Sequence, residues 1–208
     1  MRSAVKELLF ATRNQNKIRE IQHVIQNRIR ILSLSDLGYT DDLPEDLDTL
    51  EGNALSKAAF TYKRFGMDCF ADDTGLEVAA LNGAPGVYSA RFAALTGEIL
   101  EGEDFSSANI RKLLRLLEHQ PDRRARFRTV ISLIIEGKEY LFEGIISGQI
   151  LTDKRGKEGF GYDPVFLPDG YNRTFAEMNL DEKNRISHRA QAIRKLADFL
   201  KTSNLKFL

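Results

Sequence analysis

Hydrophobic residues recur along the chain with two different spacings, which predict helices and strands that follow one another along the chain. Spacing typical of one helix face occurs at 16–25, 53–65, 110–117 and 193–200. Short apolar or alternating runs predict strands at 5–11, 29–34, 69–71, 124–135 and 140–151. The last two runs flank Gly137-Lys138 and predict a long antiparallel hairpin. Gly66 follows the second helix, and we expect that helix to end there in a left-handed cap.

The loop between the first strand and the first helix, Thr12-Arg13-Asn14-Gln15-Asn16-Lys17, is a candidate phosphate site. At a helix start the backbone N–H groups lack partners and the helix dipole is positive, which favours an anion. Lys17 adds a mobile positive charge. The alternative is a capped helix start with a solvated lysine, and the missing glycines exclude a P-loop.

Asp72 and Asp73 end the apolar run of the third predicted strand. Acidic side chains there are costly unless they bind a cation, and Mg²⁺ prefers carboxylate oxygens while it bridges to substrate phosphates. Glu45 is a candidate third ligand, because it lies in a segment, residues 36–51, with seven carboxylates and no Lys or Arg. The two aspartates are contiguous, which favours a water nucleophile over a covalent phospho-aspartate. The alternative is a solvated turn with Asp capping.

Two further segments carry candidate binding groups. Phe160 stands between glycines and is a candidate stacking platform, and Asp163 is placed to accept from a base edge. Packing is the alternative for the aromatic residues. Lys183, His188 and Arg189 lie around the start of the last predicted helix, where cations oppose the dipole unless an anion is near. The alternative is that His188 caps or packs and Arg189 pairs with a local acid.

Composition limits the classes of function. The 208 residues, 42% hydrophobic, suffice to bury a core as one domain or as two closely packed lobes. We expect a single domain over 1–208 whose two lobes are not independent. Thirty basic and thirty acidic residues cancel, so we expect no nucleic-acid partner and no membrane. Cys69 is the sole cysteine and is expected to be buried. No apolar stretch reaches the roughly 20 residues of a membrane span, and residues 1–7 lack a signal peptide's apolar segment, so we expect a cytoplasmic protein.

Five ordered motifs together resemble those of the inosine triphosphate pyrophosphatases, also called XTP/dITP diphosphatases. They are Ala11-Thr12 to Lys17, Ala71-Asp72-Asp73-Thr74-Gly75-Leu76, Gly83-Ala84-Pro85-Gly86-Val87-Tyr88-Ser89-Ala90-Arg91, Gly159-Phe160-Gly161-Tyr162-Asp163-Pro164 and Ile186-Ser187-His188-Arg189. The resemblance covers nearly the whole chain. It implies a two-lobed α/β fold with a long central mixed sheet flanked by helices, a cleft between the lobes for Mg²⁺ and the triphosphate, and a homodimer. The implied reaction is Mg²⁺-dependent hydrolysis of ITP, dITP and XTP to the monophosphate and pyrophosphate.

The resemblance also implies roles for individual residues. Asp73 would be the general base and a metal ligand, Lys17 a second catalytic group, and Glu45 and Asp72 further metal ligands. The implied substrate-binding residues are Thr12, Arg13, Asn14, Gln15, Asn16, Lys17, Thr74 and Arg91 near the phosphates, and Phe160, Gly161, Tyr162, Asp163, Lys183, His188 and Arg189 near the base. A 6-keto purine accepts a hydrogen bond from His188 or Arg189, whereas the amino group of adenine opposes a donor.

Two departures from the family pattern and two rival functions stay open. Arg13 stands where many relatives have a small residue or Asn, and Gly52 where Glu is frequent. A Maf-like pyrophosphatase acting on other nucleotides is one alternative, against which Ser187-His188-Arg189 argues. A nucleotide-binding sensor without turnover is the other, against which the intact Lys17 and Asp72-Asp73 pair argue.

Overall fold

The computed structural model describes residues 7–25 and 29–202. Within these ranges the strands are β1 (Glu7–Phe10), β2 (Arg30–Ser33), β3 (Cys69–Val78), β4 (Pro85–Gly86), β5 (Arg124–Ile135), β6 (Lys138–Ile150) and β7 (Phe166–Pro168). The helices are α1 (Gln15–Ile25), α2 (Leu50–Phe65), α3 (Phe105–Leu116), α4 (Leu180–Ile186) and α5 (His188–Thr202). None of these described helices has the length and apolar character needed to cross a membrane. Residues 5 and 6 of the first predicted strand fall outside the described ranges.

The described strands form a mixed sheet in the hydrogen-bonded order β2-β1-β3-β5-β6-β7, with β4 paired to β3. β1 pairs in parallel with both β2 and β3, and Leu9 lies opposite both Leu32 and Cys69. β4 pairs antiparallel with β3, and β7 pairs antiparallel with β6. Parallel neighbours need a crossover connection, and α1 and α2 provide it between β1, β2 and β3. The predicted α/β class, a mixed sheet flanked by helices, is confirmed.

By its internal contacts the chain divides into two compact units. The first unit contains Met1–Asp73, Thr129–Gly144 and His188–Leu208, and the second contains Thr74–Arg128 and Ile145–Ser187. β3, β5 and β6 therefore each contribute residues to both units. That the two units act as a single domain stays a prediction.

The core of the first unit lies on both faces of its strands, because successive side chains of a strand point to opposite faces. Leu8 and Phe10 of β1 and Phe70 of β3 pack with the apolar residues of α1 and α5. The rings of Phe10 and Phe70 stack with their centroids 4.4 Å apart. Leu9 and Cys69 belong to a separate cluster that includes α2. The predicted burial of Cys69 is confirmed.

The second unit has its own core, in which α3 is the main helix. Ile110 and Leu113 of α3 pack with Leu76 of β3. The helix begins after Asp104, whose carboxylate accepts a hydrogen bond from the Ser107 N–H at 3.0 Å. A helix is confirmed here, but it starts earlier than the apolar spacing predicts, because the polar cap sets its first residue.

β3 is longer than the sequence predicts, and this changes the surroundings of the acidic pair. The apolar run predicts a strand that ends at Ala71, but the strand continues well beyond it. Asp72 and Asp73 therefore lie inside a strand, and both are buried, so the alternative of a solvated turn is wrong. Gly75 permits close strand pairing, since a Cβ there would lie 2.6 Å from Gly86 O of β4.

The start of α2 and the hairpin turn also differ from the prediction. α2 begins before residue 53, because Thr49 Oγ1 accepts a hydrogen bond from the Gly52 N–H at 3.0 Å. The helix ends at Gly66 in a left-handed conformation, as predicted. The turn between β5 and β6 is formed by Glu136 and Gly137, with φ of 49° and 74°. Two positive φ values are required by the two-residue turn that matches the twist of paired strands.

Gly144 of β6 lies against the first turn of α5. A Cβ at Gly144 would lie 1.9 Å from His188 O and 2.7 Å from Ala192 N. Because main-chain atoms cannot rotate away, we expect Gly144→Ala to lower the free energy of unfolding by about 2–3 kcal/mol, measured by urea denaturation. Glu139→Ala, at an exposed position of the same strand, is the control and should change that free energy by less than about 0.5 kcal/mol. Equal losses in the two variants would contradict the steric role of Gly144.

Candidate active site

The two adjacent carboxylates of β3 face opposite sides of the strand. Because side chains alternate, Asp72 shares a face with Phe70, and Asp73 shares the other face with Cys69 and Ala71. Asp72 is therefore on the side of α1 and α5, and Asp73 is on the side of α2. Each carboxylate has its own partners in the first unit.

Asp72 is held by two cations. Its Oδ1 accepts a hydrogen bond from Lys17 Nζ at 2.8 Å, and its Oδ2 accepts one from Arg189 Nε at 3.1 Å. Another guanidinium nitrogen of Arg189, Nη1, donates to Glu20 Oε2. Asp72, Arg189 and Glu20 are almost fully buried. We call these four residues the Asp72 cluster, and it joins α1, β3 and α5.

The charges of the Asp72 cluster stabilise one another. Burial acts to raise the pKa of Asp72, but Lys17 and Arg189 outweigh it, and the pKa of Asp72 lies well below its usual value. Burial also opposes the charge on Arg189, yet Glu20 and Asp72 hold the pKa of Arg189 above its usual value. Asp72 and Arg189 are therefore both ionised at neutral pH.

Asp73 is bonded to α2 on the opposite face. Its Oδ2 accepts a hydrogen bond from Asn53 Nδ2 at 3.2 Å, and its Oδ1 lies 3.4 Å from Lys57 Nζ. Lys57 also donates to Glu45 Oε1 at 2.5 Å. Asn53 Oδ1 accepts the Leu47 N–H at 2.9 Å, and Asn53 Nδ2 donates to Leu47 O at 3.0 Å, which fixes the acidic segment that carries Glu45. We call Glu45, Asn53, Lys57 and Asp73 the Asp73 cluster.

The electrostatics of Asp73 are opposite to those of Asp72. Burial has the largest effect, and Glu45 and Asp72 add negative charge, so the pKa of Asp73 is raised despite the opposing effects of Lys57 and Lys17. Burial opposes the charge on Lys57, but Asp73 and Glu45 outweigh it, and the pKa of Lys57 is raised as well. A carboxylate with a raised pKa is a stronger base, so Asp73 is the better proton acceptor of the pair.

The donor chemistry around Asp73 suits Mg²⁺. Among the residues that the structure describes, no three His, Cys, Asp or Glu side chains gather as a ready-made metal site. Asp73 and Glu45 nevertheless converge on one cation, the Lys57 ammonium. Mg²⁺ is commonly bound by one or two carboxylates together with substrate phosphates, so this pair fits the expected ion. Asp72 fits less well, because both its oxygens already accept hydrogen bonds from cations.

The start of α1 agrees only in part with the sequence-based expectation. Asn14 Oδ1 accepts the N–H groups of Asn16 and Lys17 at 3.0 and 3.3 Å, so the expectation of free N–H groups is wrong for these two. Thr12 Oγ1 accepts the Asn14 N–H at 3.2 Å. The alternative of a capped helix is therefore correct, but its solvated lysine is not, because Lys17 is bonded to Asp72.

The other residues of this loop lie at the surface. The guanidinium of Arg13 donates to Thr40 O and to the carboxylate of Asp42. Gln15 is exposed at the start of α1. The acidic segment, residues 36–51, thus faces a cation at Asp42 and another at Glu45. Phosphate binding by this loop stays a prediction.

In the second unit, Asp163 organises the segment of residues 159–164, which we call the aromatic segment. Its Oδ2 accepts hydrogen bonds from the Phe160 N–H at 2.9 Å and from Lys183 Nζ at 2.6 Å. Lys183 Nζ lies 5.0 Å from the ring centroid of Phe160 and 5.4 Å from that of Phe175, within the range of cation–π attraction. A Cβ at Gly159 would lie 2.1 Å from Asp163 Oδ2, so glycine is required there. The Phe160 ring is partly exposed, as a stacking platform must be.

The three cations expected around one helix start are divided between two helices. Lys183 lies in the last turn of α4, where the helix dipole favours a cation. His188 and Arg189 are the first residues of α5, and both are buried. The anion that a cation needs at such a position is supplied to Arg189 by Glu20 and Asp72. Arg189 is thus paired, as in the alternative, but its partners are distant in the sequence and not the local acids expected there. Contact of these residues with a base stays a prediction.

The remaining candidate residues of the second unit lie on β3 and on two loops. Tyr162 is buried, which raises the pKa of its hydroxyl, and that hydroxyl donates to Ser89 O at 3.0 Å. Arg91 ends a short 3₁₀ turn and is partly exposed. Thr74 is partly buried on β3. A Cβ at Gly161 would meet no atom within 4 Å, so the main chain is open at that point.

Three residues of these clusters were not predicted from the sequence. Glu20 lies on the buried face of α1, and Asn53 and Lys57 lie on the buried face of α2. Polar groups on an apolar helix face are costly unless they are paired. A polar or charged residue at a position of the apolar helix face was therefore the sequence signal that could have identified these three residues.

Known proteins resemble this chain in sequence and in fold. A family model described as the Ham1 family matches residues 8–199. The dITP/XTP pyrophosphatase of Flavobacterium johnsoniae is 51% identical over 194 residues, which cover 93% of this chain and 97% of that protein. The structure of the Staphylococcus aureus Ham1 protein has a TM-score of 0.81 and 40% identity, covering 94% of this chain and 98% of that one. A HAM1 protein from Coxiella burnetii has a TM-score of 0.84 and 35% identity, covering 96% of this chain and 100% of that one.

Removing Arg189 tests the Asp72 cluster. Arg189→Met leaves Glu20 and Asp72 buried without the cation between them, so we expect the free energy of unfolding to fall by about 3–5 kcal/mol. Urea denaturation measures the loss. Arg30→Met is the matched control, because the Arg30–Glu7 ion pair of 2.7 Å is exposed, and it should change the free energy by less than about 1 kcal/mol. Losses of the same size in both variants would show that the buried pair contributes no more than a surface pair.

Proposed function

Because the chain belongs to the Ham1 family, we propose that it hydrolyses deaminated purine nucleoside triphosphates, namely dITP, XTP and ITP, to the monophosphate and pyrophosphate. The observation that carries the proposal is the Asp73 cluster, in which a buried carboxylate of raised pKa is bonded to Lys57 and placed close to Glu45. The Flavobacterium relative is named for dITP and XTP, which supports the substrate class. Its identity to this chain extends over nearly the full length of both proteins.

Asp73 is the general base of the proposed reaction. Its carboxylate takes a proton from water, the water oxygen attacks phosphorus, and the bond between the α-phosphate and the leaving pyrophosphate breaks. Asn53 fixes the orientation of the Asp73 carboxylate by donating a hydrogen bond to its Oδ2.

Asp73 and Glu45 are the proposed ligands of Mg²⁺. The ion, when bound, offsets negative charge on the phosphate oxygens. Lys57 lies beside both carboxylates and adds fixed positive charge to the same place. Lys17 is held by its hydrogen bond to Asp72. The loop of residues 12–17 is the proposed phosphate site of the first unit. In the second unit, Thr74 and Arg91 are the proposed phosphate ligands.

The purine base is the part of the substrate that the remaining residues would recognise. Phe160 offers a ring face, and Asp163 and Lys183 hold its main chain and its ring in place. His188 and Arg189 are the proposed donors to a 6-keto oxygen, which the amino group of adenine cannot replace without leaving a donor unpaired. A homodimer and a cytoplasmic location stay predictions.

A panel of nucleotides tests the substrate class and the metal. We expect kcat/KM for dITP, XTP and ITP to exceed that for ATP by at least about 100-fold, because a site built around a hydrogen bond to the 6-keto oxygen rejects a base that cannot form it. We expect kcat/KM for GTP to be lower as well, a difference that the 6-keto group does not explain because guanine also carries it. We also expect EDTA to abolish turnover. Ion-exchange chromatography that separates pyrophosphate from orthophosphate measures both.

Each departure from that result would contradict a different part of the proposal. Equal turnover of ATP would contradict recognition of the 6-keto group, and undiminished turnover in EDTA would contradict the role of Mg²⁺. Orthophosphate as the product would contradict the cleavage position. Preference for another nucleotide would favour the Maf-like alternative, and tight binding without turnover would favour a sensor.

Asp73→Asn tests the general base. The amide keeps the size of the side chain but cannot accept the proton, so we expect kcat to fall by about 100-fold or more. Circular dichroism should show an unchanged fold. Asp41→Asn is the control, because Asp41 is an exposed member of the acidic segment, and it should leave kcat unchanged. A rate near that of the wild type in Asp73→Asn would remove Asp73 from the mechanism.

A further inference from the structure

Arg91 is carried by the short 3₁₀ turn Ser89–Arg91 in the second unit. So short a turn forms few hydrogen bonds of its own, and other parts of the unit must hold it. The Cζ of Arg91 lies 5.4 Å from the ring centroid of Tyr88, in cation–π range. The main chain of this turn, which carries Arg91 beside Tyr88, therefore contributes to the direction of the guanidinium.

Asn109 of α3 bonds this turn on both sides of Arg91. Its Nδ2 donates to Ser89 O at 3.1 Å and to Ala90 O at 3.0 Å. Its Oδ1 accepts the Ala93 N–H at 2.7 Å. Asn109 is only 4% exposed, so water cannot easily take over these bonds. An asparagine amide has two N–H donors, and both are used on the turn.

Ser89 fixes the same turn to β3 and to the aromatic segment. Its Oγ accepts the Leu76 N–H of β3 at 2.8 Å and donates to Gly86 O at 2.6 Å. Its carbonyl accepts the Tyr162 hydroxyl at 3.0 Å in addition to the Asn109 amide. Besides its own main-chain hydrogen bond, from the Arg91 N–H to Tyr88 O at 3.0 Å, the turn is therefore held by side-chain hydrogen bonds to β3, α3 and Tyr162.

We infer that Asn109 is a positioning residue for substrate binding, which acts by fixing the direction in which the Arg91 guanidinium leaves its turn. The inference rests on the proposed function, in which Arg91 contacts the phosphates. An acidic side chain of the same length lacks the two donors, and a shorter side chain does not reach the two carbonyls and the Ala93 N–H. Tyr162 has a smaller part, because it contributes one bond to the Ser89 carbonyl.

A double-mutant cycle of Asn109→Ala and Arg91→Ala tests the inference. We expect Asn109→Ala alone to weaken binding of inorganic tripolyphosphate, measured by calorimetry, and to raise KM for dITP, each by about 10-fold or more, because a misplaced guanidinium contacts the phosphates poorly. When Arg91→Ala is already present, Asn109→Ala should change both quantities by less than about 2-fold, since no guanidinium remains to be positioned. The same loss in both backgrounds would mean that Asn109 only stabilises the fold, and it would overturn the inference.

Two further variants complete the design. Tyr162→Phe keeps the buried ring and removes one hydrogen bond to Ser89 O, so it should give a smaller loss that also disappears with Arg91→Ala. If Asn109→Ala does not fold, Tyr162→Phe takes its place in the double-mutant cycle. Asn172→Ala, at an exposed asparagine, should change neither quantity.

Pyrophosphate release from nucleotides and binding of tripolyphosphate together separate failure of the inference from failure of the proposed function. A wild-type protein that releases no pyrophosphate from any nucleotide would refute the proposed function. The tripolyphosphate cycle would still decide the inference: coupling between the two positions supports it, and additive losses or no binding by the wild type overturn it.

Discussion

The first unit is organised by the charge of Asp72, a carboxylate that is buried inside a strand. A buried charge is tolerated only when it is paired and hydrogen-bonded, and here the partners come from Lys17 of α1 and Arg189 of α5. Arg189 in turn needs Glu20, so both helices are fixed relative to β3 by the same set of ion pairs. Gly144 permits this arrangement, because only a residue without a Cβ lets the main chain of α5 approach β6 so closely.

The alternation of side chains along β3 gives two neighbouring aspartates different chemistry. Asp72 faces two cations and has a lowered pKa, whereas Asp73 has burial and two other carboxylates to raise its pKa against the effect of Lys57. Pairs of acids whose environments move their pKa values apart are typical of sites that divide structural and proton-transfer roles. In this chain a register shift of one residue would exchange the two roles.

In the second unit the functional candidates are held mainly by hydrogen bonds from side chains to the main chain. Asp163 holds the Phe160 N–H and the Lys183 ammonium, and Asn109 holds the carbonyls beside Arg91. Such bonds give irregular segments a defined position where no helix or strand ladder is available. The glycines of these segments serve the same purpose where another group must come very close, as Gly159 does beside Asp163.

The sequence by itself determined the elements whose signals are local: the spacing of apolar residues for the helices, Gly66 as the end of α2, and the alternation that produces the β5–β6 hairpin. It also identified Lys17, Asp72, Asp73 and Arg189 as chemically significant, because charged residues beside apolar runs are conspicuous. Only the tertiary structure decided that β3 continues through the acidic pair, since the length of β3 depends on its pairing with β5 and, at Leu76 and Glu77, with β4, and both strands follow later in the chain. It alone decided that Glu20, Asn53 and Lys57 join the two clusters, because which helix covers which face of a strand is set by packing between distant segments and not by any local spacing.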